Sequence, residues 1–386
     1  MSGIVLSASV RQNLLSLQST ADLLSTTQNR LSTGKKVNSA LDNPTNFFTA
    51  QGLDNRASDI SNLLDGIGNG VQVLQAANTG ITSLQKLVDT AKSIANQVPQ
   101  TTVGYSSKST GSSTALGGTA ANLVDAATIK SGDNLVIAAT AGIPAVSITF
   151  GATESLDQLN TALAASNLSA SLDSSNKLVI TTTNDAASST IGAVTFTHTG
   201  TATFGAAGSA PIADPASQAI RSNLVSQYNN IVAQISTTAQ DASFNGINLL
   251  NGDNLKLTFN ETGKSTLNIN GVSYNATGLG LNALISGTDF LDNNSANATI
   301  AKLSSASNSL RSEASTLGSN LSIVQIRQDF SKSLINVLQT GSSNLTLADT
   351  NAEAANSQAL STRQSIAVSA LALSNQAQQS VLQLLR

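Results

Sequence analysis

Val10, Leu17, Leu24 and Leu31 stand seven residues apart, with Leu14 and Ala21 in the alternate four-three positions. Seven residues carry a helix about two turns, back to nearly the same face, so this spacing lays the apolar side chains along one stripe. The spacing returns towards the far end in Leu303, Leu310, Leu317, Val324, Leu338 and Leu345, with polar Ser331 in the remaining slot and Ile300, Ala314, Leu321 and Ile335 in support. A third stripe runs Leu53, Ile60, Leu64, Ile67, Val71, Leu74, Ile81, Leu84, Val88, Ala91, Ala95 and Val98. A fourth is Ile366, Ala370, Leu373, Ala377, Val381 and Leu384. Long helices with one apolar stripe are marginal alone, because nucleation is costly and packing supplies most of their stability. Both ends of this chain therefore need partners, and neither is expected to find a complete one within a single molecule.

The first seam is interrupted and at once resumed. The stretch LSTGKKVNSALDNPTNFFTAQGL places Gly34, a Ser/Asn-rich break and Asn43-Pro44 between two amphipathic runs, which ends one helix and starts another. From about residue 101 the sequence turns Gly-, Ser- and Thr-rich and reads as a linker. Short β-branched or alternating runs follow (NLVIAAT, AVSITF, LSASLD, KLVITTT, AVTFTHT), divided by one helical segment with Leu156, Leu159 and Leu163 on a shared face. A small α+β domain is thus inserted into a helical protein, and AAGSAPIADPAS marks its exit. Helix resumes with Leu224, Tyr228, Ile231 and Ile235, and NLKLTF and STLNING, joined by NETGK, form a hairpin. The fold class is mainly α, with antiparallel long helices and coiled coil from both ends, a β-hairpin near 255–274 and the inserted α+β domain.

Little in the chain supports chemistry. Its 386 residues suffice for two or three domains, yet only 11% are charged, against about 25% in an average soluble protein, and the net charge is -3. Nucleic acid is disfavoured, since it is bound through clustered cations. The absence of cysteine excludes disulfides, thiolate metal sites and thiol nucleophiles. His198 is the single histidine, which rules out metal motifs built on paired histidines, and in FTHTG it reads as an exposed strand residue. Asp22, Asp54, Asp59, Asp65 and Asp89 lie on helical stretches where a solvated face is the default. Gly263-Lys264-Ser265 matches the end of a phosphate loop, but the position of the first glycine is Thr258 and the context is strand-turn-strand. The run GIGNG at 66–70 lacks dinucleotide spacing and reads as a flexible or closely packed patch of helix. No stretch approaches the roughly 18 apolar residues of a membrane span, and the first residues make a poor secretory signal. The chain is expected to be no enzyme, to need no cofactor or metal, and to bind no membrane.

Three separated motifs resemble the bacterial flagellins. The first is Arg30, Leu31, Ser32, Gly34, Lys36, Val37, Asn38, Ser39, Ala40, Asp42 and Asn43. The second is Phe244, Asn245, Gly246, Leu249 and Leu250, and the third is the ending from Ser380 to Arg386. The resemblance covers residues 1–100 and 212–386. It implies an inner terminal coiled-coil domain (1–45 and 346–386), a helical second domain (46–103 and 212–345) and an outer variable domain (104–211), with the inter-domain connection at Gly34, Asn43 and Pro44. Subunit–subunit packing would fall on Val10, Leu14, Leu17, Leu24, Leu31, Ile366, Leu373, Val381 and Leu384. The family's immune-receptor motif is degenerate here, at Gln85, Lys86, Val88 and Asp89.

The function so implied is a structural subunit that self-assembles into the extracellular flagellar filament for swimming motility. Unfolded export through the flagellar type III apparatus would precede assembly. Its partners would be further copies of itself, an export chaperone, the filament cap and hook-junction proteins. A hook–filament junction protein with similar ends is the near alternative. A coiled-coil stalk displaying an adhesin-like domain is the distant one, disfavoured by the 3% aromatic content.

Overall fold

The computed structural model describes residues 8–384, apart from His198 and Ala206, and omits the side chains of 378 and 381–384. The fold is mainly helical. Six helices run α1 Ala8–Thr33, α2 Pro44–Gln97, α3 Leu156–Ala164, α4 Pro215–Asp241, α5 Asn293–Thr346 and α6 Thr350–Leu384. Their starts are written in the sequence. Asn43, Asp214 and Asp349 place a side-chain oxygen on a first-turn amide, and a proline follows the first two. Ser155 and Gln158 close a reciprocal capping box on α3. Among the described residues, no helix is long and apolar enough to cross a membrane.

The chain divides into two compact units, Met1–Asn69 with Leu257–Leu267 and Ile323–Arg386, and Gly70–Lys256 with Asn268–Ser322. In the first, α1 packs along α6. Ala57, Ile60 and Leu338 form a core there, covered by Leu53, Leu334 and Ile335. The seven-residue stripe of α5 is buried as its spacing predicts: Leu303, Leu310 and Val324 have no exposed surface, Leu317 and Ser331 retain 2%, and Leu338 retains 7%.

In the second unit an α+β insert carries its own core, centred on Leu123, Leu135, Ile137, Leu159, Leu178 and Ile180. Two antiparallel three-stranded sheets build it. One has β6 Lys177–Thr182 between β2 Thr110–Ala115 and β5 Leu168–Leu172. The other has β3 Asn134–Ile137 between β4 Val146–Thr149 and β7 Val194–Thr197. The segment expected to be a linker is therefore partly sheet: β1 Tyr105–Ser107 pairs with β8 Ile212–Ala213, and β2 pairs with β6. Small residues made it look like a loop, yet Gly111 and Ser113 face inward, and the Ser113 hydroxyl accepts from the Leu178 amide.

The hairpin joins β9 Leu255–Thr258 to β10 Thr266–Ile269. Gly263 (φ +70°) and the Asn260 side chain, which accepts from the Ser265 amide, shape its turn. A phosphate loop needs a helix at this point, and the chain continues as strand.

Candidate assembly interface

The break between α1 and α2 is a built joint. Gly34 sits at φ +68°, a region that L side chains rarely adopt, and ends α1. The Asp42 carboxylate then accepts from the Asn38 amide at 3.0 Å, the Ser39 amide at 2.9 Å and the Ser39 hydroxyl at 3.2 Å. These bonds hold its pKa below the usual carboxylate value, and the positive charge of Arg30 adds to the effect. The Asn38 side chain donates back to Thr33 and Lys35, and Asn43 starts α2. The Asn-Ser-Ala motif and the Asp-Asn pair are thus one hydrogen-bonded turn.

That turn is tied to the second break in the chain. Lys36 and Val37 donate backbone amides to Thr346 O, Ala348 donates to Gly34 O, and the Lys36 ammonium reaches Asn344 O. Val37 is buried at the joint, and Arg30 pairs with Glu353 at 3.4 Å. The sequence-predicted connection residues Gly34, Asn43 and Pro44 therefore stand together, level with the α5–α6 break.

The α1–α6 seam differs from the expected one. On α1, Val10, Leu17 and Leu24 face α6, as their spacing predicts. The alternate layers are Asn13, Thr20 and Thr27, with Thr20 and Thr27 buried. Leu14 (45% exposed), Leu15 (65%) and Leu31 (39%) lie off the seam, and Leu23 (50%) lines a groove at its edge with Glu353 and Leu360. The three-four alternation runs opposite to the expected one because Thr20 folds its hydroxyl onto Ser16 O, its own helix carbonyl, and so presents a methyl group to the seam.

On α6 the face towards α1 is Glu353, Ser357, Leu360, Gln364, Ala367, Leu371 and Ser374. The stripe read from the sequence is a different one. Ile366 is 65% exposed, Leu373 is 70% exposed, and Ala359, Ala370 and Ala377 share their side of the helix. At about 100° per residue this stripe lies roughly a third of a turn from the paired one. The side chains of Val381 and Leu384 fall outside the described residues, as does His198. The helix α6 thus meets α1 with a mixed face, in which Leu360, Ala367 and Leu371 stand among Glu353, Ser357, Gln364 and Ser374, while the stripe of Ile366 and Leu373 stays uncovered. The helix α1 likewise displays Leu14 and Leu15 away from α6.

In α2, Lys86 and Asp89 are exposed and Gln85 is half-buried, but Val88 is fully buried and cannot meet a partner. Gly66 and Gly68 are not tightly packed: a Cβ at Gly66 would meet nothing within 4 Å, and one at Gly68 only Gln328 at 3.9 Å. Gly70 is buried.

Two anchors escaped the sequence reading. Asn248, next to the Phe-Asn-Gly turn, donates to Ala239 O and Gln240 O and accepts from the Leu250 amide. It ends α4, while Asn245 and Gly246 (φ +50° and +80°) make the tight turn before it. Arg221, 1% exposed, donates to the carbonyls of Val98, Thr101, Thr102 and Phe290 and to the Asn293 side chain. Among the described residues, no group of three or more His, Cys, Asp or Glu could hold a metal ion.

Residues 5–128 match the family model for the bacterial flagellin N-terminal helical region, and residues 300–385 match that for the bacterial flagellin C-terminal helical region. The chain belongs to the bacterial flagellins. It is 31% identical over 165 residues to flagellin FljM of Caulobacter vibrioides and 30% identical over 165 residues to flagellin FljK of that organism. Each match covers 42% of this chain and 59% of the relative, so the chain spans about three-fifths of the length of these flagellins. Both matched regions carry the paired breaks' sequence: the first holds the Gly34–Asn43 turn and the second holds Thr346 and Ala348.

Proposed function

We propose that this flagellin is the structural subunit of a helical filament, assembling through its terminal helices and acting in the extracellular flagellum for motility rather than in catalysis. The observation that carries the reading is the uncovered apolar stripe of α6. Ile366 and Leu373 lie on a face that α1 does not cover, while α1 itself displays Leu14, Leu15 and Leu23. Two helices bearing surplus apolar surface are under-packed as one chain, and repetition of that chain supplies the missing surface.

The three-layer division inferred from the sequence follows from the same reading. The terminal seam (1–45 and 346–386) lies innermost, the long helices of 46–103 and 212–345 surround it, and the insert of 104–211 faces outward. Subunit packing falls on Leu14, Leu31, Ile366 and Leu373, with Val10, Leu17 and Leu24 holding the helix pair that presents them. Export in an unfolded state through the flagellar type III apparatus suits a chain without disulfides. A chaperone for the exposed apolar ends, a filament cap and hook-junction proteins are the partners this route requires.

The test is electron microscopy of the purified chain left to assemble alone. Filaments of unlimited length support the reading. Closed rings of fixed size would point to a junction protein, and a persistent monomer at high concentration would overturn it.

A further inference from the structure

The Phe-Asn-Gly motif carries a chemistry that assembly does not use. Four Asn-Gly pairs occur in the chain: Asn69-Gly70, Asn245-Gly246, Asn251-Gly252 and Asn270-Gly271. In such a pair the glycine nitrogen can attack the asparagine side-chain carbon, because glycine has no Cβ to obstruct the approach. The four pairs are alike as dipeptides. Any difference in their reactivity therefore comes from the fold.

Closure needs a free glycine N–H, a free carboxamide and a backbone able to swing, and three of the pairs lack this combination. Asn69 and Gly70 lie inside α2, where Gly70 is buried and its amide belongs to the helical ladder. The Gly271 amide donates to Asn254 Oδ1 at 3.2 Å, and the chain is so close there that an added Cβ would stand 2.1 Å from Asp253 O. Asn251 forms a bridge with Ser273, and its amide and that of Asp253 both donate to Asn248 O at 3.1 Å, so Gly252 is held from either side.

Asn245-Gly246 is the exception. Both residues are exposed, at φ +50° and +80°, in the middle of the turn between Phe244 and Ile247. The two 3.0 Å bonds that close this turn join Phe244 and Ile247, the flanking residues. Among the described residues, neither the Gly246 amide nor the Asn245 side chain has a hydrogen-bond partner. A Cβ on Gly246 would meet nothing within 4 Å, so water and base reach the pair. Opening it disturbs only an isolated bridge, where local unfolding is cheapest.

We propose that Asn245 is a site of spontaneous modification, at which the side chain closes onto Gly246 and is then hydrolysed. The Gly246 nitrogen bonds to Asn245 Cγ, the Cγ–Nδ2 bond breaks, and Nδ2 leaves as ammonia with the Gly246 amide proton. Water opens the resulting five-membered imide at either carbonyl, giving aspartate or isoaspartate. Both products add a negative charge. Isoaspartate also lengthens the main chain between Phe244 and Ile247, which the two closing bonds cannot both survive, next to the Asn248 anchor that ends α4.

The full-length, unassembled chain would be held in mildly alkaline buffer, and each Asn-Gly peptide followed by mass mapping and an isoaspartate assay. The same incubation in guanidinium supplies the reference in which the fold is absent. In the folded chain Asn245 should convert at least about tenfold faster than the other three, and in guanidinium all four should fall within about threefold of one another. Asn245→Gln should remove the isoaspartate of the folded chain. Conversion of Asn69, Asn251 or Asn270 as fast as Asn245 in the folded chain would overturn the proposal. So would an unreactive Asn245 in a fold whose guanidinium reference reacts, or an isoaspartate signal that survives Asn245→Gln.

Discussion

Replacing Arg221 by methionine is the sharpest perturbation of the second unit. The guanidinium lies among the end of α2 (Val98, Thr101 and Thr102), the first turns of α4, and the turn before α5 (Phe290 and Asn293), where the chain enters and leaves the insert. Its contacts run from 2.7 to 3.3 Å. Hydrogen bonds to a charged group contribute about 1.5–3 kcal/mol each, but the cost of burying the cation offsets much of their sum. Arg221→Met keeps the packing volume and removes a donor from five acceptors; Val98 O keeps the Thr101 amide and hydroxyl, and the other four lose the bond that the arginine supplies. Burial of such unpaired groups costs about 1–3 kcal/mol each when dry, less where water reaches Thr101 and Thr102. A net loss of about 3–5 kcal/mol results, comparable to breaking a buried ion pair from one side. In a unit of this size that lowers the corresponding calorimetric transition by on the order of 10 °C. Arg221→Lys should recover only part of it, since an ammonium cannot fork to acceptors on three sides. A methionine variant melting within about 2 °C of the unmodified chain would refute the reasoning, because it would mean the carbonyls are satisfied without the arginine.

Further expectations follow from other parts of the fold. Gly80→Ala would place a Cβ 2.6 Å from Ala242 Cβ and 2.7 Å from Leu250 Cδ1, so it should destabilise the second unit by about 1–3 kcal/mol in denaturant melts. Gly66→Ala, with open space around it, should instead stabilise the free chain by up to about 1 kcal/mol. Burial beside Asp289 pushes Tyr228 up to about 12, and burial beside Glu313 pushes Tyr274 up to about 12. An acid whose folded pKa is raised stabilises the fold below its unfolded value, near 10. That contribution is lost as pH climbs from about 10 to about 12, so ultraviolet titration of the phenols should coincide with unfolding. Leu373→Asp should leave the free chain's helicity intact and block assembly, since its side chain is 70% exposed in the single chain and would be desolvated between copies. With Val88 buried and the family's immune-receptor motif degenerate at Gln85, Lys86, Val88 and Asp89, the chain should be a weak agonist of the innate immune receptor for flagellin. A reporter-cell response equal to that of an enteric flagellin would contradict this.

The long-range order of the fold was legible where one period dominates. The α5 stripe is such a case, because the residues at seven-residue steps from Leu303 to Leu338 lie on one buried face. The α1–α6 seam departs from the expected one because its alternate layers include Thr20 and Thr27, both buried, and Thr20 hides its hydroxyl on the Ser16 carbonyl. Hydrophobicity alone assigns those slots to Leu14 and Ala21, and Leu14 turns out to serve another face. Periodicity groups Ile366 and Leu373 on one stripe but does not say what covers it. Strands β1 and β2 look like linker in the sequence because Ser, Thr and Gly satisfy a ladder as readily as a loop. Arg221 and Asn248 left no signal at all: their acceptors are carbonyls, which every residue owns, brought together only by the fold.

Hydrogen exchange of the segment 356–380 in dilute and in assembled material tests the central claim most directly. The account predicts rapid exchange along α6 in the single chain and protection by at least two orders of magnitude after assembly, as copies cover Ile366 and Leu373. Equal exchange in both states, with filaments visible in the same sample, would contradict it.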